Sequence, residues 1–101
     1  MAYILQVDFP HYGIFGQEFV DGFTELAKDI KEEEGLIWKI WTENKETKEA
    51  GGIYLFADEA NANRYLKKHT ARLASFGYGN IRGKIFSVSE PLSKITKASF
   101  L

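Results

Sequence analysis

The sequence predicts an α+β fold, a four-stranded antiparallel sheet with two helices on one face. Three observations carry this. Four short segments alternate apolar and polar residues, whereas two longer ones repeat apolar residues every three or four positions. Their order is β-α-β-β-α-β, the ferredoxin-like split βαβ arrangement. The chain has 101 residues, 45% of them hydrophobic, enough for one domain (1–101) with one core.

The first strand is Tyr3–Phe9, with Tyr3, Leu5, Val7 and Phe9 on one face and Ile4, Gln6 and Asp8 on the other. Pro10, His11, Tyr12 and Gly13 break it, and His11 reads as a solvated loop residue. A helix is expected from about Phe15 to Glu33, its apolar stripe formed by Phe15, Phe19, Phe23, Leu26 and Ile30. Gly35 suits its C-terminal stop. Glu32–Glu34 lie at the unfavourable end of the helix dipole and read as a solvated end. A hairpin follows in Leu36–Phe56, LIWKIWTENKETKEAGGIYLF, whose aromatic segments read as strands around an exposed Thr42–Glu49 loop. Asp58 is a good N-cap for a second helix, with a stripe of Ala62, Tyr65, Leu66, His69, Leu73 and Phe76. Gly77 and Gly79 end it, and Ile81–Ser89 is the fourth strand. After Pro91 a tail carries Leu92, Ile95, Phe100 and Leu101, apolar enough to dock.

The two tryptophans pose the functional question. Trp38 and Trp41 are three residues apart, so on a strand they point to opposite faces. Helices cover one face of the sheet, and the other therefore also wants cover, from a partner or a ligand. Alternation places Leu36, Trp38 and Ile40 on one face and Ile37, Lys39, Trp41 and Glu43 on the other. The second set is more polar, so Trp41 and Lys39 are expected on the open face with Gln6 and Asp8. Tyr54 shares a face with Ala50, Gly52 and Phe56, and alternation does not fix which, because Gly51-Gly52 can mark a bulge or a close backbone approach.

Composition narrows the classes. A formal charge of −1 gives no electrostatic reason to expect nucleic acid or an anionic membrane as partner. The third strand, EAGGIYLF, lacks the basic signature with which RNA-binding sheets of this shape stack bases. There is no cysteine, hence no disulfide and no thiolate chemistry. No segment approaches the length of a membrane span, and the N-terminus lacks a signal-peptide pattern, so the cytoplasm is the expected location. His11 and His69 have no metal-ligand spacing, and no phosphate-binding or dinucleotide motif occurs.

The remaining reading is a dimer whose sheets pack face to face and enclose an apolar cavity with a few polar groups. His69, on the apolar stripe of the second helix, is the candidate acid or base. The alternative is a hydrogen-bonded core histidine. Arg72, three residues on, could flank the same opening and bind an anionic oxygen. Trp41 is expected in a cavity wall or the dimer interface, and the tail after Pro91 across or beside that interface.

The segments GLIWKIWTE (35–43), EAGGIYLF (49–56), KKHTARL (67–73) and EPLSKI (90–95) resemble the small YdhR family over essentially the whole chain. Its members are classed as monooxygenases by similarity to the dimeric α/β-barrel superfamily, which includes antibiotic-biosynthesis monooxygenases. The resemblance implies a homodimer acting, without bound cofactor or metal, on a small aromatic compound such as an anthrone or hydroquinone. It implies a site in which His69 is the base, Arg72 steadies the anion and Tyr54 donates a hydrogen bond. Trp41, Trp38, Lys39, Gln6 and Asp8 would contact the substrate. Two other readings fit the same resemblance: a haem-degrading enzyme with His69 on iron, and a non-catalytic binding dimer.

Overall fold

The computed structural model describes residues 2–99. The strands are β1 (Tyr3–Pro10), β2 (Leu36–Asn44), β3 (Glu49–Phe56) and β4 (Arg82–Ser87); the helices are α1 (Gln17–Ile30), α2 (Glu59–Ser75) and a short α3 (Glu90–Ile95). All strand pairs are antiparallel, in the order β2-β3-β1-β4. The β-α-β-β-α-β order expected from the sequence is present, with α3 added in the tail. Phe100 and Leu101, expected to help dock that tail, lie outside the described residues.

Burial explains the layering. Leu5, Val7 and Phe9 of β1 are buried against Phe19 and Ile30 of α1 and Ala62, Tyr65 and Leu73 of α2. The ends of α2 follow their sequence signals, whereas α1 spans only Gln17–Ile30, inside the expected Phe15–Glu33 and short of Gly35. The Asp58 carboxylate accepts from Asn61 N–H at 2.8 Å, capping α2. Gly77, at φ 97°, lets the chain leave that helix. Glu33 and Glu34 are not merely solvated: they pair with Lys68 (2.8 Å) and Arg64 (3.1 Å), fastening the turn after α1 to α2.

One irregularity changes the faces of β2. Leu36 pairs with Phe56 and Trp38 with Leu55, so Ile37 is an extra residue, a bulge. Leu36 therefore packs with the core, whereas Trp38 lies on the sheet face away from the helices. Beyond the bulge, Lys39 pairs with Tyr54 and Trp41 with Gly52, and these partners pair in turn with Leu5 and Val7. Paired residues share a face. Trp41, Lys39 and Tyr54 thus face the helices, and the expectation that Trp41 and Lys39 lie on the open face is overturned. The bulge takes Leu36 off the face of Trp38 and Ile40, and the set assigned to the open face for its polarity, Lys39 and Trp41, is the one that faces the helices.

The outer face runs in rows across the sheet: Phe86, Ile4, Leu55 and Trp38 in one, Lys84, Gln6, Ile53 and Ile40 in the next. At its polar end Arg82 pairs with Asp8 and, at 2.7 Å, with Glu49. The tail folds towards the apolar end, where Ser89, Ser93 and Ala98 line one pocket with Ile4 and Trp38.

Gly51 marks a close approach of β1 and β3. A Cβ there would meet the Val7 carbonyl oxygen, with the Asp8 Cα 2.8 Å away, and backbone cannot rotate aside. Gly51→Ala should therefore destabilise the fold by about 2–4 kcal/mol in urea unfolding; an unchanged midpoint would mean that the two central strands separate without cost.

Candidate active site

The polar side chains that point inward converge on one spot between sheet and helices. Lys39 comes from β2, Tyr54 from β3, and Tyr65, His69 and Arg72 from α2. The 3.6-residue period of α2 sets 65, 69 and 72 on one side. Tyr54 and Tyr65 are fully buried, and His69 is only 3% exposed.

Arg72 organises the group. Its Nη1 donates to the Asp29 carboxylate of α1 at 2.8 Å. Its Nε and Nη2 reach His69 Nδ1 at 3.3 and 3.0 Å, and Nη2 also donates to the Tyr65 hydroxyl at 3.4 Å. A guanidinium can only donate, so His69 Nδ1 must accept, and the neutral ring carries its proton on Nε2. Tyr65 in turn donates to the Tyr54 hydroxyl at 3.2 Å. The rings also pack together: Tyr65 stacks on His69 at 5.0 Å and lies tilted against Tyr54 at 4.9 Å, centroid to centroid.

Lys39 lies across this cluster. Its Nζ is 3.2 Å from the Trp41 ring centroid and 4.7 Å from that of Tyr54. Gly52 makes the passage possible: a Cβ there would sit 2.5 Å from Lys39 Cε. Among the described residues no carboxylate forms an ion pair with Lys39.

Protonation follows from this environment. Burial, then the Lys39 and Arg72 charges, pushes His69 down to about 3. Burial and the Arg72 guanidinium bring Lys39 down to about 7. Burial dominates in raising Tyr65 to about 12 and Tyr54 higher still. Near neutral pH the site therefore holds a neutral imidazole, two neutral phenols and an amine close to half-protonation.

Three spaces adjoin it. The inner one, about 10 Å³, has room for roughly one water and is faced by Lys39, Trp41, Tyr54, His69 and Leu73. An apolar cleft of about 240 Å³ opens beside Trp41, between α1 and the edge strand β2, lined by Phe19, Val20 and Ala27. A groove of about 570 Å³ runs between α1 and α2, past Asp29, Arg72 and Tyr78. Phe23 lines all three.

Of the residues singled out from the sequence, His69, Arg72, Tyr54, Trp41 and Lys39 come together. Trp38, Gln6 and Asp8 do not: they lie on the opposite face of the sheet. His11, expected in solvent, is 3% exposed. Its Nε2–H donates to the Ile14 carbonyl at 2.7 Å and its Nδ1 accepts from the Tyr78 hydroxyl at 2.8 Å. Phe15, Phe19 and Phe23 surround it, so it fixes the loop before α1. Asp29 was missed because nothing in the spacing shows a charge reaching across from a neighbouring helix, and Tyr65 was read only as part of the apolar stripe, although it stands four residues before His69 on the same helix. No group of three His, Asp or Glu side chains among the described residues could hold a metal ion. No described helix is long and apolar enough to cross a membrane.

The family model described as "Putative mono-oxygenase ydhR" matches residues 4–99. No curated protein matches the chain. Among solved structures, a mutant of SnoaB, a cofactor-independent oxygenase from Streptomyces nogalater, is similar in fold, with a TM-score of 0.62 at 15% identity over 87% of this chain and 93% of that one.

The depressed His69 value has a consequence for stability. The unfolded chain takes up a proton near pH 6.5 and the folded one only near 3, so stability is full above 6.5 and falls as pH drops through that window. His69→Gln should flatten this acid limb by roughly 4 kcal/mol between pH 7 and 3, measured by urea unfolding; parallel wild-type and variant curves would contradict a neutral buried imidazole.

Proposed function

Because the chain belongs to the ydhR mono-oxygenase family, we propose that it is a cofactor-independent monooxygenase of small aromatic compounds such as anthrones or hydroquinones. The observation that carries this reading is the inner-face site, in which neutral donors converge beside an apolar aromatic wall. For an anthrone the balance is one dioxygen per methylene group. The methylene carbon loses both hydrogens and takes one oxygen atom as a carbonyl, and the other oxygen atom leaves with those hydrogens as water. The substrate supplies the electrons, so the protein must only bind it, remove a proton and hold the resulting anion in a dry place. His69 Nε2–H and the Tyr54 hydroxyl are the donors for that anion. Arg72, held by Asp29, is a positioning residue that keeps His69 in the donor tautomer. Trp41 supplies the wall for a flat ring.

The geometry disfavours His69 as the base: its Nδ1 is taken by Arg72 and its Nε2 already carries a proton. It also does not suit haem ligation, since the space before His69 is about 10 Å³ and is walled by Phe9, Phe23 and Leu73. A non-catalytic binding dimer needs the Trp41 cleft alone and gives no reason for the buried donors.

We further propose a homodimer formed through the outer sheet face. Supporting it are the apolar side chains left exposed there and in the tail, with Ile40 at 50%, Phe86 at 47% and Ile95 at 79%. Trp38 then belongs to the region of this interface instead of the substrate site.

Oxygen uptake against a panel of anthrones and dihydroxynaphthalenes tests the activity. Wild type should consume oxygen above the buffer rate, and His69→Ala should lose about 10²–10³-fold, as for removal of one oxyanion donor. Absence of uptake, with Trp fluorescence still quenched by the same compounds, would favour the binding protein. Light scattering tests the assembly: wild type should be dimeric at micromolar concentration and Ile40→Asp monomeric; a monomeric wild type would remove the dimer.

A further inference from the structure

We propose that Lys39 is the proton acceptor of this site: its amine removes the acidic C–H proton of an aromatic substrate seated against Trp41. The choice of substrate rests on the oxygenase reading above. In this step the substrate C–H bond breaks and its bonding pair stays on the substrate, leaving a carbanion. The proton forms a new N–H bond at Nζ, and the neutral amine becomes an ammonium.

Geometry carries this. Lys39 lines the same inner space as His69 and Tyr54, the two donors available to the resulting enolate oxygen, and its Nζ lies 4.7 Å from the Tyr54 ring centroid. It is held against the Trp41 face at 3.2 Å, where a flat substrate ring would compete with it for contact. Gly52 leaves open the slot through which its stem passes. The other candidate bases are occupied or neutral donors. His69 accepts from Arg72, Asp29 is paired with Arg72, and both tyrosines are buried as phenols.

The charges around it favour the free amine. From α2 it faces His69 and Leu73 and feels the Arg72 charge, and from β3 it faces Tyr54. From α1 it faces only Phe19, Phe23 and Leu26, and from β1 only Phe9. No carboxylate lines the inner space, and Glu33 and Glu43 are engaged elsewhere, with Lys68 and with the Gly16 N–H at 2.9 Å. A lone cation beside Arg72, with no anion paired to it, gains by losing its proton, and its conjugate acid lies at about 7. Once the substrate anion forms, the new ammonium has the partner it lacked.

Proton removal can be read without dioxygen. Anthrone is incubated under argon in heavy water with the protein, and loss of its methylene hydrogens is followed by NMR. Wild type should accelerate exchange, with a rate that rises to a plateau through about pH 7. Lys39→Met and Lys39→Arg should lose at least about 100-fold and the pH limb with it, while anthrone still quenches Trp fluorescence. Lys39→Met keeps most of the stem and, like the free amine, carries no charge, so its melting curve checks that the fold survives. No acceleration by wild type, or equal exchange in Lys39→Met, overturns the proposal. Exchange that depends on Lys39 but is followed by no oxygen uptake in air sustains Lys39 as the base and removes the oxygenase reading instead.

Discussion

One partly buried guanidinium organises the inner face. Arg72 is tied to α1 by Asp29, and its remaining donors face α2's own His69 and Tyr65. A buried cation is costly unless paired and hydrogen-bonded, and here both conditions hold. Its charge bears on the protonation of Lys39, Tyr54, Tyr65 and His69 alike. With Arg72 in place the imidazole is a neutral donor and the nearby amine tends to release its proton. Without it, His69 Nδ1 would lose its donors and the Tyr65 hydroxyl a cationic neighbour. Helix packing, tautomer choice and amine basicity thus depend on the same side chain.

Much of the fold was legible. The alternation in Tyr3–Phe9 named the buried face of β1 correctly, and Asp58 marked the start of α2. The apolar stripe of α1 was recognised from its spacing alone. What failed was β2, in its register at Ile37 and in its choice of face. Ile37 looks like any strand residue, and nothing in LIWKIW shows that it pairs with no partner. A bulge is fixed by the neighbouring strand, here by Phe56 and Leu55 taking Leu36 and Trp38, and tertiary pairing is not written in local periodicity. The bulge misplaced Leu36 alone; Trp41 and Lys39 went to the wrong face because the more polar set was assigned to solvent.

The rule behind that assignment also has a lesson. Placing the more polar side of a strand in water is sound for a structural sheet. It fails where polar groups turn inward against packing preference and converge on one spot. Lys39 is such a case, and its inward turn is tolerated because the stem lies over Gly52 and the head over Trp41. His69 and Arg72 were found because i, i+3 spacing on a helix survives any register change. His11 was missed for the opposite reason. Loops carry no period, so a histidine buried by three phenylalanines from α1 and the segment before it looks no different from a solvated one.

The two faces of the sheet divide the work. The outer face keeps apolar rows and one ion-pair cluster, which suits association; the inner face keeps the titratable groups. Access to the latter is the remaining constraint. The cleft beside Trp41 can take an aromatic ring, but the space before Lys39 and His69 holds little more than a water. Phe23 borders both, and also the groove that runs past Arg72. A ring moving from the cleft towards Lys39 must therefore displace Phe23 from the inner wall. The half-buried position of Phe23 on α1, packed 4.7 Å from Phe19 and 6.1 Å from Trp41, makes it the one side chain whose rotation joins the three spaces. On the oxygenase reading proposed above, the substrate's ring replaces the aromatic contacts that Phe23 gives up, so that opening the inner site is coupled to filling it and water stays excluded from the anion.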